Sequence, residues 1–324
     1  MQLPASDPTR AAASGVVRIG TRGSALARTQ SAWVQRRIAA ALGGSPEDAE
    51  TVAPLVIITT TGDRIQDRRL LEAGGKALFV VEIEEALLAG RIDCAIHSMK
   101  DVPAEVAATV PIAAIPLRED PRDAFVSRRW DRLEDLPQGA RLGTASLRRQ
   151  AQALHRRPDL QVEMLRGNVD TRLRRLDDGD FDAILLAAAG LNRLGLSARI
   201  RSTIDPAEAP PAPGQGALAI QTRAGDVDAP WLHALKDPAS ALTVAAERGA
   251  LQALEGSCRT AMGAHARLHG DDLHLVVEAL TTDGRERFRR EGRVSAGDAA
   301  AVAALGLRLG LEIRAEGGDR LDLS

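Results

Sequence analysis

At 324 residues the chain exceeds one ordinary core, and its 44% hydrophobic and 27% charged side chains are those of a globular, water-soluble protein of two or three domains. The net charge of -2 excludes a general nucleic-acid binder, and 2% aromatic residues with no tyrosine exclude base-stacking platforms. Lys76, Lys100 and Lys236 are the only lysines, so cationic recognition falls to arginine and should face a compact polyanionic ligand. Cys94 and Cys258 cannot build a disulfide framework, which suggests a reducing compartment. Met1 to Ser14 holds two prolines, Asp7 and Arg10, and reads as a disordered lead-in, not a signal peptide. The longest apolar stretch, Ala183 to Leu191, is too short to span a bilayer, so a cytoplasmic location is expected.

In chain order, Arg18 to Leu26 predicts a short strand, a Gly-Thr turn and a helix through Trp33 and Ile38 capped by Ser24. Leu55 to Thr59 reads as a strand. Ile92 to Ile96 reads as a buried strand that ends at His97-Ser98-Met99-Lys100-Asp101-Val102-Pro103. That places a hydroxyl, an ammonium and a carboxylate at the C-terminal edge of a sheet, where ligands of open α/β sheets bind. Arg141 to Leu147 then repeats the first pattern, with Thr144 and the cap Ser146 before a helix through Ala151 and Leu154. Val162 to Leu165 supplies another strand. Asp182-Ala183-Ile184-Leu185 echoes Asp93-Cys94-Ala95-Ile96, each after a helix ending in Gly. Two strand-turn-helix lobes with parallel sheets follow. Pro206 to Pro213 is a link before Gly214-Gln215-Gly216 and the apolar run Ala217 to Ile220. Beyond Pro238, a helix from Ala239 to Leu254, a hairpin of Leu273 to Ala279 with Arg287 to Val294, and a helix from Ala299 to Leu309 predict a small α+β domain.

The two Gly-Thr-Ser turns are candidate anion sites, because a helix N-terminus offers unpaired N–H groups and a positive dipole end. Ordinary capping is the plainer reading of either alone. Arg148 and Arg149 lie in a first turn, where the dipole opposes cations, so ligand carboxylates are expected to offset them. Arg22, Arg166, Arg172 and Arg193 fall at the same strand-to-helix edge, and Arg binds carboxylates through two parallel bonds. Arg174 and Arg175 read as helix surface. By residue type alone, Cys258 beyond a helix C-terminus is a structural or idle cysteine, and Cys94 is packing. No His/Cys spacing suggests a metal.

Gly74-Gly75-Lys76 with Phe79, His97 to Pro103, Arg118 to Phe125, Leu147-Arg148-Arg149-Gln150, Leu165 to Asn168 and Pro213 to Gly216 together resemble the porphobilinogen deaminase (hydroxymethylbilane synthase) family from about Arg18 to the C-terminus. The resemblance implies an α/β fold of two lobes like type II periplasmic binding proteins, a cleft between them, and a C-terminal α+β domain. The lobes would be residues 1–116 with 217–236, and 117–216; the third domain, 237–324, would carry the cofactor cysteine. It further implies a transferase that deaminates and condenses four porphobilinogen molecules into hydroxymethylbilane for tetrapyrrole biosynthesis. A dipyrromethane cofactor would be tethered to Cys258, with Asp101 catalytic. Ser98, Lys100, Thr144, Ser146, Arg148 and Arg149 would hold the cofactor; Arg22, Ser24, Phe79, Arg166, Arg172 and Arg193 would hold substrate. The product would pass from a monomer to uroporphyrinogen III synthase. Ala145, Ser257, Ala261 and Glu72 depart from the usual pattern. A two-lobed sensor of small acids is the alternative that the lobe pattern alone leaves open.

Overall fold

The computed structural model describes residues 15–64, 80–254 and 260–321. Strand β1 (Ile19–Thr21) turns into helix α1 (Ala25–Ala41), where the Ser24 side chain accepts the Ala27 N–H as an N-cap. Val34 and Ile38 form the buried stripe of α1 against the sheet. β2 (Leu55–Ile57), helix α2 (Val81–Leu88), β3 (Cys94–Ser98) and β4 (Ile112–Ala114) follow. The second lobe runs β5 (Asp123–Ser127), β6 (Arg141–Gly143), α3 (Leu147–Arg156), β7 (Gln161–Glu163), α4 (Val169–Asp177), β8 (Ala183–Ala187), α5 (Ala188–Arg193) and β9 (Ser202–Thr203). The chain then returns: β10 (Leu218–Gln221) pairs with both β3 and β4.

The two five-stranded sheets have matching orders, β2-β1-β3-β10-β4 and β7-β6-β8-β5-β9. They are mixed, not parallel as expected: β10 runs antiparallel to β3 and β4, and β5 to β8 and β9. The antiparallel strand in the first sheet is the one contributed after the crossing, which a local strand-turn-helix pattern cannot display. The edge strands β2 and β7 are also shorter than the apolar runs implied. β2 ends at Ile57, and β7 covers Gln161–Glu163 and stops before Leu165, whose side chain is buried instead.

The sequence echo has a mechanical basis. Asp93 accepts the Arg18 backbone N–H at 2.9 Å, and Asp182 accepts that of Arg141 at 2.8 Å. Each aspartate, one residue before a central strand, thereby fixes that strand's register on its neighbour. Gly90 and Gly179, at φ +66° and +87°, end the preceding helices in a conformation that a side chain would strain.

In the third unit, helix α6 (Pro238–Leu254) and helix α7 (Ala299–Gly317) cover a sheet of β11 (Ala261–His269), β12 (Asp272–Leu280) and β13 (Arg287–Ser295). The expected hairpin is β12–β13; β11 was not anticipated, and α7 runs well past Leu309. Gly306 lets α7 lie directly on α6, since a Cβ there would stand 1.9 Å from the Ala246 carbonyl oxygen. No helix of the described residues is long and apolar enough to cross a membrane.

Candidate active site

β3 ends at Ser98, and a single 3-10 turn, Met99–Asp101, presents the next two side chains. The turn is fixed from below. Met99 is buried and donates its N–H to the Ala217 carbonyl at 3.0 Å. Gly214, at φ +72°, passes so close that a Cβ would meet Met99 Cγ at 2.5 Å. Ser98 Oγ is held by Gln30 of α1 at 3.0 Å. His97 is buried against Gln221 at 3.1 Å, and burial pulls its pKa down to about 4, so at neutral pH it is an uncharged packing residue. Lys100 Nζ donates to Gln215 Oε1 at 3.3 Å. The Asp101 carboxylate, half-buried beside it, accepts no hydrogen bond from the described residues.

Across from this turn stands an anion that sequence reasoning passed over. Asp123, 2% exposed, accepts Arg148 Nη1 at 2.6 Å and Arg149 Nη2 at 2.7 Å, and Gln215 Nε2 at 2.8 Å. Burial would raise its carboxyl, but the charges of Arg148 and Arg149 overrule that and hold it far below the usual carboxylate range. The expectation that ligand carboxylates alone offset these first-turn cations is therefore corrected: Asp123, from the same chain, does so. One carboxylate against two guanidiniums still leaves a buried positive excess. Arg148 Nε has no hydrogen-bond partner in its buried position.

More cations converge on the same space. Burial, then the charge of Arg149, lowers Lys100 to about 8 while Asp101 and Asp123 pull it upward. Burial, then Arg149 and Arg166, lowers Arg172 to about 10. Arg166 Nη1 is buried without a hydrogen-bond partner. Arg172 donates Nε to the Gly167 carbonyl at 2.8 Å, and Arg193 donates Nη2 to that of Gly216 at 2.8 Å. Among the described residues, Lys100, Arg148, Arg149, Arg166 and Arg172 thus share one field opposed by Asp101 and Asp123. A polycarboxylate fits that donor set; a neutral ligand would leave it uncompensated.

The helix-end residues divide. Ser146 Oγ accepts the Arg149 N–H at 3.4 Å, and Thr144 Oγ1 accepts that of Ser146 at 3.1 Å. Ser24 and Ser146 thus cap their own helices, and Thr144 braces the turn that leads into the second cap. Arg22 forms an ion pair with Asp63, Nε to Oδ1 at 3.0 Å, a partner not anticipated. Arg174 is exposed, as expected of helix surface. Phe79 and Cys258 lie outside the described residues, as do Glu72 and Ser257. Cys94 is fully buried and burial pushes its thiol up, which makes it a poor nucleophile. Asp123 and Gln215 were the omissions. Both stand inside sequence motifs already singled out, but their partners lie 25 to 115 positions away. A separate cavity of about 340 Å³ between Ser127, Arg128, Asp177, Arg199 and Arg201 opens at the other edge of the second sheet, where β8 begins.

Two matching α/β lobes joined by paired crossings, with buried cations gathered where strands turn into helices, define a two-lobed protein built to hold a polyanion. Sequence comparison narrows the class. Residues 17–230 match the family described as "Porphobilinogen deaminase, dipyromethane cofactor binding domain", and 241–315 match "Porphobilinogen deaminase, C-terminal domain". A porphobilinogen deaminase of a Caulobacter species is 65% identical over 95% of this chain and 98% of its own. One from Phenylobacterium zucineum is 64% identical over 95% and 98%. The chain belongs to the porphobilinogen deaminase family. By structure, a nutrient binding protein from Burkholderia cenocepacia bound to methionine is similar at 17% identity and TM-score 0.41, covering 68% of this chain and 90% of that one.

Proposed function

We propose that this chain joins four porphobilinogen molecules head to tail into hydroxymethylbilane, with a dipyrromethane cofactor tethered to Cys258. The observation that supports it most is the cation excess around Lys100, Arg149, Arg166 and Arg172 beside Asp101, a carboxylate with no hydrogen bond from the described residues. Acetate and propionate groups on each pyrrole are the ligand chemistry such a field accepts. When bound, the cofactor supplies a free pyrrole carbon from which the chain can grow.

The protein's residues then divide the work. Ser98, Lys100, Thr144, Ser146, Arg148 and Arg149 hold the cofactor, and the orphaned N–H of Arg148 fits a further acceptor there. Arg22, Ser24, Phe79, Arg166, Arg172 and Arg193 hold the incoming pyrrole. Asp101 moves protons at the aminomethyl nitrogen as ammonia leaves, and its charge steadies positive charge on pyrrole N–H groups. Burial of Arg149 keeps water from competing for its partners. Cys258 is the tether; the alternative thiol, Cys94, is sealed in a strand.

We assign residues 1–116 with 217–236 to the first lobe, 117–216 to the second and 237–324 to the third domain. The chain acts as a cytoplasmic monomer and hands its product to uroporphyrinogen III synthase. Intact mass tests the proposal: purified protein should carry a dipyrrole adduct that Cys258→Ser lacks, and should convert porphobilinogen to hydroxymethylbilane. Bare sequence mass with no turnover would overturn it and favour a sensor of small acids.

A further inference from the structure

One carboxylate of the third unit reaches toward the arginines of the second lobe. Glu278 lies on β12, 1% exposed, although a strand with Val276 and Val277 beside it would ordinarily bury only apolar groups there. A buried carboxylate persists only when paired and hydrogen-bonded. Glu278 Oε2 accepts Arg287 Nε at 2.8 Å and lies 3.6 Å from Arg289 Nη1. Its other oxygen accepts Gln152 Nε2, on α3 of the second lobe, at 2.7 Å.

Gln152 stands one helical turn after Arg148 and accepts its Nη1 at 2.8 Å through Oε1. Its second amide proton goes to the Pro210 carbonyl at 2.8 Å. Both acceptors of the Gln152 amide are thus acceptor-only groups, so the amide has one satisfied orientation, oxygen toward Arg148. Pro210 itself depends on the third unit. Arg287 and Arg289 donate to the Glu208 and Ala207 carbonyls at 2.9 and 2.7 Å, and the Ala264 N–H to that of Pro211 at 2.9 Å. Glu278 therefore governs Gln152 directly and, through the two arginines, by way of the link.

We propose that Glu278 is a positioning residue for the anion-binding cluster: through Gln152 it orients Arg148, and so sets the Arg148–Asp123–Arg149 arrangement. This rests on the reading that Arg148 and Arg149 hold the cofactor. Glu278 touches no ligand in this scheme. A change of about an ångström in a positioned group is enough to alter function steeply.

The test uses full-length protein and reads adduct fraction by intact mass, melting temperature, and KM and kcat for porphobilinogen. Glu278→Leu and Gln152→Leu should each cut the adduct fraction roughly tenfold. The double variant should lose no more adduct than either single, because both changes break one path. It should also melt above Glu278→Leu, since the unpaired Gln152 amide is gone. Gln150→Leu is the control: Gln150 Nε2 donates to the Thr282 carbonyl at 3.3 Å across the same interface without touching Arg148, and should keep its adduct. Full loading of Gln152→Leu, or equal loss in Gln150→Leu, overturns the proposal and leaves mere domain docking. If Glu278→Leu fails to fold, the Gln152 and Gln150 variants still decide. An adduct missing from the unmodified protein instead overturns the functional reading, seen before any variant is made.

Discussion

Arg118 and Glu247 meet in a two-pronged ion pair, Nη1 to Oε1 at 2.7 Å and Nη2 to Oε2 at 2.9 Å, with Glu247 wholly buried. The carboxylate also accepts the Gly214 N–H at 2.7 Å and the Ala266 N–H at 3.0 Å. One side chain of α6 thereby fastens both crossing segments and the third sheet together. Such a group is costly to bury and more costly to break once buried.

Glu247→Gln should lower stability by about 3–5 kcal/mol, because it leaves Arg118 charged and unpaired. Burial would raise Glu247, yet the charge of Arg118 wins and holds it at about 2. A depressed carboxyl contributes stability above its unfolded value and loses it as pH falls toward the folded one. The unmodified protein should therefore weaken from near pH 4.5 down to pH 2, and Glu247→Gln should show a shallower slope there. Denaturant titrations at several pH values check both.

Asp101→Asn keeps the shape and removes the charge. Turnover should fall at least about a hundredfold while adduct and melting temperature stay near normal. Steady-state rates beside intact-mass spectra decide it, and near-normal rates would end the role given to Asp101.

Lys100 is charged only below about pH 8, since burial and Arg149 disfavour its proton. Carboxylate binding to cofactor-free protein should weaken as pH rises through 8, by about tenfold at pH 9 relative to pH 7. Lys100→Arg, whose guanidinium stays protonated, should flatten that limb. Titration calorimetry with a pyrrole polycarboxylate measures it.

Arg149→Leu should block cofactor assembly and also destabilise the cofactor-free protein by about 3–5 kcal/mol, because Asp123 loses one of its two cations. Arg174→Leu, on exposed helix surface, should change stability by less than about 0.5 kcal/mol and leave the adduct in place. Equal loading of the two would mean that Arg149 serves the fold alone.

Local signals carried much of this reading. Ser24 and Ser146 cap the helices they precede, and the Asp93/Asp182 echo marks equivalent strands because each aspartate bonds its neighbouring strand's backbone. What stayed hidden depends on distant pairing. The antiparallel insertion of β10 and the strand β11, whose Ala-Met-Gly-Ala-His run lacks alternation, have no local signature. Arg148 and Arg149 were legible as misplaced cations, but their partner Asp123 sits 25 and 26 positions earlier in a run of charges. Cys258 drew attention only through family likeness, for its residue type and flanking sequence suggest nothing special.

The place of β10 between β3 and β4 also governs the order of events during synthesis. Among the described residues β4 bonds to no strand except β10, and β3 shows a bare edge until β10 arrives. Between Ala114 and Leu218 the ribosome must make the whole second lobe, roughly one hundred residues, which at about 5–20 residues per second takes on the order of 5–20 s. For that interval the nascent first sheet is a three-stranded fragment with an open edge, the form most prone to pair with a neighbouring chain. The second lobe, whose strands all lie within one continuous stretch, can close first and then deliver β10 to the waiting gap.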